Sequence, residues 1–407
     1  MHMAEITPRI IIKIIIIASI DIVTTSNYLE PLCLFLNFVL YKYFYVRFIL
    51  LKKHTFKYRW VFCWFMFPDK IIAKIKDELD NCQSPLIFYD DDADGLCSFL
   101  LFYRYKKEGR GVPVKSKPSL GKSFLRKVEE FGPDKIIVLD VPMVEQEFLD
   151  GVDVPVVWVD HHTLVDLDGI TVYNPKQFDE KDNSCITRIC YEVVQQDQWI
   201  AAVGAIADWQ MPEWMEDFAK KHPELIDQEL DIGKLYFDST LGKLIRVFAF
   251  ILKGDIKEVN KCVKILTRIE DSQEILQQSS PQGKYLWKRY ETNYQAYEKL
   301  LKQGHAQAKE GDEFLIYIYP DSETSFTGDL SNELKYRHAD KVVIVGREVK
   351  GEVRMSLRSE DRDLAAALEK ALVGVEGYGG GHMHACGACV KKRDFDAFVA
   401  VLREELC

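Results

Sequence analysis

Four carboxylates fall within five residues, Asp90, Asp91, Asp92 and Asp94, directly after the apolar run 86–89 and directly before Gly95. Carboxylates packed this closely repel one another, and desolvating them unpaired is costly. A strand that ends this way faces a divalent metal, a cationic ligand or open water. Three further places carry the same kind of donor. Asp140 ends the apolar run 136–139, Asp160, His161 and His162 end the run 154–159, and Asp208 follows the apolar stretch 200–207. Five or six aspartates with imidazole and no thiolate suit hard or borderline ions, Mn²⁺ or Mg²⁺, better than structural Zn²⁺. So many carboxylates overcharge one ion, whereas two ions bridged by a shared aspartate balance the count. Two metals about 3.5–4 Å apart activate water and clamp a phosphoryl group. The chemistry expected is two-metal phosphoester hydrolysis. Each cluster alone has a plainer reading: a solvated turn, a surface histidine pair, a helix cap, a buried hydrogen-bonded aspartate. Their recurrence at four predicted strand ends in one stretch of chain favours a single site.

The elements that must position these residues are legible as alternation. Helical spacing over 71–79, 96–105, 119–131 and 184–195 separates short β-type runs at 86–89, 112–114, 136–139, 154–159 and 170–173. This β-α-β order predicts an α/β fold with a parallel sheet, covered by helices on both faces. Such sheets bind ligands beyond the carboxyl ends of their strands, where all four clusters are expected to meet. Residues 68–211 form the expected catalytic domain. Residues 212–311 read as a charged helical connector without a ligand cluster. Residues 312–407 read as a smaller α/β domain ending in Gly377-Tyr378-Gly379-Gly380-Gly381-His382, with the active site in the cleft between lobes.

The chain has 407 residues, 47% hydrophobic and 29% charged, and a net charge of -10. That field does not attract a polyanion, so any nucleic-acid contact needs metals or a local basic surface. One candidate is Arg104, Lys106, Lys107, Arg110, Lys115, Lys117, Lys122, Arg126 and Lys127, set against Glu108 alone. Tyr103 and Tyr105 there are candidates for base stacking, one of them more in keeping with the core. Ten scattered cysteines show no disulfide framework, which points to reduced thiols and a cytoplasmic protein. Residues 1–67 differ: eight Lys/Arg, three Asp/Glu and no glycine amid Ile, Phe and Tyr. Two readings stand for this segment. It is translated AT-rich upstream sequence, with Met66 as the true start, or residues 10–51 are a native membrane-associated segment. Its longest charge-free run, 31–41, is far short of the ~20 residues of a spanning helix.

Taken together, Asp-x-Asp-Ala-Asp-Gly at 90–95, isolated Asp140, Asp160-His161-His162, Asp208 and Gly379-Gly380-Gly381-His382 resemble the DHH phosphoesterase superfamily. The likeness runs from residue 86 to the C-terminus, the last part resembling the DHH-associated domain. The spelling of the first motif is closest to the RecJ-like exonuclease branch, since branches acting on small nucleotides tend to begin it with histidine. The resemblance implies that Asp90, Asp92, Asp94, Asp140, His161 and Asp208 ligate two Mn²⁺ ions, or Mg²⁺, with Asp140 bridging. Asp160 and His162 would orient the ligands or touch the scissile phosphate. Gly379, Gly380, Gly381, His382 and Arg358 would hold a substrate phosphate or terminus. Read alone, His382-x-His384-x-Cys386-x-x-Cys389 resembles a zinc site, the weaker alternative.

The function expected is an Mn²⁺-dependent phosphodiesterase on single-stranded DNA or RNA, releasing mononucleotides from a 5′ end. The chain ends 25 residues after His382, leaving no room for the OB-type domain of long RecJ enzymes, which raises the weight of short substrates. Alternatives are a short-oligonucleotide or cyclic-dinucleotide phosphodiesterase, and a non-catalytic relative that binds nucleic acid or a replication or repair partner.

Overall fold

The computed structural model describes residues 46–52, 58–64, 69–115, 119–227, 229–321 and 324–406. Most of the apolar segment 10–51, and Lys117, lie outside the described residues. Its last part falls in β1 (Val46–Lys52), which pairs antiparallel with β2 (Tyr58–Trp64). No described helix is long and apolar enough to cross a membrane.

The first lobe runs α1 (Asp69–Asp80), β3 (Pro85–Asp90), α2 (Ala93–Lys106), β4 (Arg110–Val114), α3 (Leu125–Phe131), β5 (Lys135–Leu139), α4 (Gln146–Leu149), β6 (Val156–Val159), β7 (Ile170–Tyr173). The five strands β3 to β7 form one parallel sheet in the order β4-β3-β5-β6-β7. Strands β3, β5 and β6 are apolar runs buried on both faces, as parallel strands must be. Leu86, Phe88, Ile136, Val138, Val156 and Trp158 share one core, and Phe88 meets the Phe148 ring edge-on at 5.7 Å. On the opposite face Tyr89 stacks on Phe99 of α2 at 4.7 Å. Burial of one such side chain contributes roughly 1.5–3 kcal/mol, so a one-residue slip of any central strand is heavily penalised.

That locked register determines what stands at the sheet's edge. Tyr89, Leu139, Val159 and Tyr173 are successive cross-strand partners. The residues one step further, Asp90, Asp140, Asp160 and Asn174, therefore line up along the carboxyl edge. The ladder continues into them: Asp140 N–H donates to Val159 O at 3.0 Å, and Asp160 N–H to Tyr173 O at 3.1 Å.

The chain then becomes helical through α5 (Ile186–Val194), α6 (Gln198–Ala207), α7 (Met215–Lys221), α8 (Ile232–Phe237), α9 (Thr240–Ile251), α10 (Ile256–Leu266), α11 (Ser272–Leu276) and α12 (Pro281–His305). Here one expectation is corrected. The apolar stretch before Asp208 is helix α6, not a strand. It reads as a continuous run because it is enclosed on all sides, with Ile200 through Ile206 buried.

The second lobe comprises β8 (Phe314–Pro320), α13 (Thr327–Arg337), β9 (Val342–Val349), β10 (Glu352–Arg358), α14 (Leu364–Ala371), β11 (Gly377–His382), β12 (Ala385–Lys391) and α15 (Phe395–Leu406). Its sheet order is β11-β12-β10-β9-β8, with only β8 and β9 parallel. Helices α14 and α15 cover one face. Contacts with the connector fix α13: Tyr297 donates to Glu333 at 2.6 Å, Tyr336 to Asp238 at 2.8 Å, and Lys253 pairs with Asp329 at 2.9 Å.

Candidate functional site

The acidic edge is assembled from four pieces of chain. Asp90 ends β3. Asp92 caps α2 through Oδ1, which accepts the Gly95 N–H at 2.9 Å. Asp140 follows β5 in a left-handed conformation, φ 60°, costly for a residue with a Cβ and tolerated where a site over-determines it. Asp208 ends α6, and its Oδ2 accepts from Gln210 at 3.2 Å. Gly95 makes the turn between β3 and α2 sterically possible. A Cβ there would lie 2.5 Å from Asp90 O and 2.7 Å from Asp90 N.

His161 and His162 are held differently. His161 is buried; its Nδ1 lies 3.3 Å from Asn183 O, and its Nε2 lies 3.3 Å from Asp140 Oδ1. With Nδ1–H donated to the carbonyl, Nε2 turns a lone pair toward a carboxylate oxygen that is buried and lacks a hydrogen-bond partner. Two lone pairs facing each other across that gap fit a bound cation, and the Nδ1–carbonyl bond is the usual support of a metal-binding imidazole. Asp160 is fully buried and serves His162, accepting its N–H at 2.7 Å and meeting its Nδ1 at 2.8 Å. Asn174 completes this bracket, donating to His162 O at 3.1 Å and Asp160 Oδ2 at 3.4 Å.

Electrostatics agree with a site built for positive charge. Burial, followed by the other carboxylates, pushes Asp140 well above the carboxylate range and Asp208 to about 9. The same causes carry Asp90 to about 6. Asp92 opens into the cleft yet sits deep within it, and desolvation plus Asp90 and Asp94 carry it to about 7. Burial lowers His161. Burial also acts to lower His162, but the Asp160 hydrogen bond and the nearby carboxylates outweigh it and raise the pKa. Asp140, His161 and His162 have ligand atoms within 4.8 Å of one another, as do Asp94, Cys185 and Asp208. Oxygen donors with imidazole, crowded until several hold protons, fit divalent metal ions.

Two members of these groups behave unlike the rest. Both Asp94 oxygens accept backbone N–H groups at the start of α5, from Ile186 at 2.9 Å and Thr187 at 2.8 Å. Cys185, absent from the sequence reading, stands beside Asp94 and Asp208, but burial and those carboxylates raise its thiol well above the usual range. Asp91 turns aside to Lys115, 3.1 Å away.

The acidic residues share no described cavity with Arg358, Gly379, Gly380, Gly381 or His382. A space of about 170 Å³ is lined by Asp92, Asp94, Asp208, Tyr236, Lys253 and, from the second lobe, Asp329. Lys253, just past α9, is the functional candidate that the connector's sequence hid, since a lone lysine after an apolar helix carries no signal. Gly379, Gly380, Gly381 and His382 lie exposed on the edge strand β11. Arg358 is fixed by Asn332 at 2.7 Å and Leu357 O at 2.9 Å, and burial lowers its pKa. The zinc reading fails here. His382 ends β11 and His384 lies in the tight β11–β12 turn, Cys386 joins the core beneath the sheet, and Cys389 contacts Glu352 from the other face. No His/Cys group of ligand geometry forms there among the described residues.

The basic run is also largely committed to the fold. Arg104 is bonded to Asp197 at 2.8 Å, Lys106 to Asp80 O at 2.9 Å, Lys122 pairs with Glu147 at 3.0 Å, and Arg126 and Lys127 share Glu130. Tyr105 donates to Asp80 at 2.8 Å.

A parallel sheet with an aspartate-histidine edge, a helical connector and a mixed-sheet second lobe define a two-lobed protein of the DHH type. The model of the DHH family N-terminal domain matches residues 85–216, and that of the DHHA1 domain matches 312–406. The chain belongs to the DHH superfamily and carries a C-terminal DHHA1 domain. Among solved structures it is similar to RecJ of Thermus thermophilus in complex with Mn²⁺, at 16% identity and TM-score 0.59, covering 84% of this chain and 55% of that one. The chain thus spans about half the length of the Thermus protein. It is similar to an exonuclease RecJ bound to manganese, at 15% identity and TM-score 0.54, covering 84% of this chain and 95% of that one. The DHH domain of a member of a ribosomal-protein family has 14% identity and TM-score 0.57, covering 83% of this chain and 89% of that one. At these identities the likeness is one of fold. No curated protein sequence matches the chain.

Proposed function

We propose that the protein is a metal-dependent phosphodiesterase acting on single-stranded nucleic acid, with Mn²⁺ or Mg²⁺ held by Asp90, Asp92, Asp140, His161 and Asp208. The observation that carries this reading is the alignment of Asp90, Asp140 and Asp160 one step beyond a shared register line, with Asp140 Oδ1 buried without a hydrogen-bond partner against His161 Nε2. The RecJ proteins of similar fold were solved with manganese and with magnesium, and one is named an exonuclease, which supports the ion and substrate classes. Bound metals would supply Lewis acidity and a water acidified to near-neutral pKa. The chain's own groups do the rest. Asp140 lies between Asp90 and Asp160 at the sheet edge, the position for a shared ligand. Asp160 and Asn174 hold His162 by Nδ1 and its carbonyl, which leaves Nε2 to contact phosphate or to protonate a departing oxygen. Lys253, paired with Asp329, adds a positive charge to the lining of the acidic cavity. Arg358 and the bare backbone of Gly379, Gly380 and Gly381, with His382, would hold a distal phosphate or strand end as the lobes close.

The test uses end-labelled DNA and RNA strands, from dinucleotides upward, with Mn²⁺ or Mg²⁺ and sized products. Asp140→Asn should abolish hydrolysis while its thermal unfolding stays cooperative. Full activity in that variant would refute the reading. Stepwise mononucleotide release from long strands indicates an exonuclease, and cleavage of dinucleotides alone indicates a short-oligonucleotide enzyme.

A further inference from the structure

A cavity of about 570 Å³ runs along the free edge of the first-lobe sheet, between β4, α2 and the connector helix α10. Its lining includes Arg110, Lys115, Lys127 and Lys264 and the aromatic residues Tyr103 and Phe124. Among its described lining residues there is no carboxylate, in a chain of net charge -10. Lys115 pairs with Asp91 and Lys127 with Glu130, both carboxylates lying outside the lining. The cavity is not isolated. A second space of about 370 Å³ shares Lys115 with it and reaches Asp91 and Lys253. Those two residues also line the acidic cavity that holds Asp92, Asp94 and Asp208. Lys115 and Lys253, paired with Asp91 and Asp329, thus stand between the carboxylate centre and the groove.

We infer that this groove binds the flanking nucleotides of a single-stranded substrate, away from the scissile phosphate. The inference rests on the phosphodiesterase reading and names where the rest of the strand lies. Cations that track a backbone, with aromatic rings for bases to stack on, are the physical signature of sequence-tolerant single-strand binding. A volume near 570 Å³ is of the size that takes small ligands or short segments rather than a duplex. A peptide strand added to the β4 edge is disfavoured, because Pro113 lies in β4 and has no N–H to extend a ladder. Of the basic run of the sequence, Arg110, Lys115 and Lys127 line this groove, together with Lys264, which is far away in the chain.

The test measures binding of a fluorescent single strand of about ten nucleotides by anisotropy, in chelator, across a salt series. Hydrolysis of a dinucleotide and of the same long strand is followed separately with Mn²⁺. In Arg110→Ala/Lys264→Ala, affinity for the long strand should fall at least about tenfold. The slope of log affinity against log salt should shrink by about 1.4, since each backbone contact contributes about 0.7. Tyr103→Leu keeps apolar bulk but loses the ring, and should weaken long-strand binding about fivefold or more. Dinucleotide kcat/KM should be unchanged in both variants. Unaltered affinity and salt slope in the folded double variant, checked by circular dichroism and Tm, would overturn the inference. So would a KM that rises equally for the dinucleotide and the long strand. If the double variant loses affinity and slope as stated yet the wild type hydrolyses nothing, the groove stands and the phosphodiesterase reading fails. If dinucleotides are cleaved while the double variant handles long strands normally, the reverse holds.

Discussion

Gly95→Ala is the most discriminating single change, because it perturbs the site without removing a candidate ligand. The glycine lies at the start of α2, beneath the turn that carries Asp90 and Asp92. An added Cβ would sit 2.5 Å from Asp90 O, 2.7 Å from its N and 3.0 Å from its C. All three are backbone atoms of a strand end held in the sheet, so none can rotate away. Relief to an ordinary 3.4 Å contact requires β3 and α2 to separate by about 0.9 Å. Overpacking of this kind costs roughly 1–3 kcal/mol of stability. The functional cost should be larger. A misplacement near 1 Å in a catalytic constellation reduces rate by about 10²-fold, and here the displaced atoms include two candidate ligands and the cap hydrogen bond from Gly95 to Asp92. The assay is threefold: chemical denaturation for stability, Mn²⁺ binding by calorimetry, and hydrolysis of a labelled single strand. We expect a modest stability loss, weaker metal binding and about a hundredfold lower kcat/KM. Wild-type activity and metal affinity in Gly95→Ala would show that the turn does not set the carboxylate geometry, and the derivation of the site from that turn would be wrong.

Other expectations follow from the same geometry. Asp94→Asn removes a carboxylate that accepts two N–H groups at the start of α5, and should cost about 1.5–3 kcal/mol while leaving the number of bound Mn²⁺ ions unchanged; loss of one ion by calorimetry would make Asp94 a ligand instead. The metal-free protein should lose stability as pH rises from about 7 to about 9. Carboxylates raised on folding bind more protons in the native than in the unfolded state, so stability falls between the ordinary carboxylate value and the raised ones, at about 7 for Asp92 and about 9 for Asp208. His162, also raised, acts in the same direction above its ordinary value, and the lowered His161 opposes it only below about 6.5. Added Mn²⁺ should flatten the dependence; a Tm in chelator that is level or rises over that range would contradict it.

The ends of β3, β5 and β6 were legible because the signal is local: an unbroken apolar run, then a charged residue that cannot be buried alone. Alternation with helical spacing was enough to predict a parallel sheet, and a parallel sheet gathers such ends on one edge. The same local logic misread the run before Asp208, since continuous apolarity marks enclosure and does not distinguish strand from helix. Asn174 was missed because asparagine after a strand is ordinary turn chemistry until its partners, Asp160 and His162, are known. Lys253 and Lys264 were missed because single lysines in charged helical sequence have no pattern to stand out from.

The parallel sheet and the charged residues at the ends of β3, β5 and β6 are thus written within a few residues of each strand end, and reading the chain was enough to place them. The direction each charge takes is written nowhere locally and emerges only on folding. Asp94 goes to the N-terminus of α5, Asp91 to Lys115, Arg104 to Asp197, and three of the basic residues to a groove completed by α10. Those destinations depend on partners distant in sequence. A charged side chain takes whichever opposite charge or open donor the packing of buried surfaces brings within about 3 Å, and local sequence carries no record of that choice.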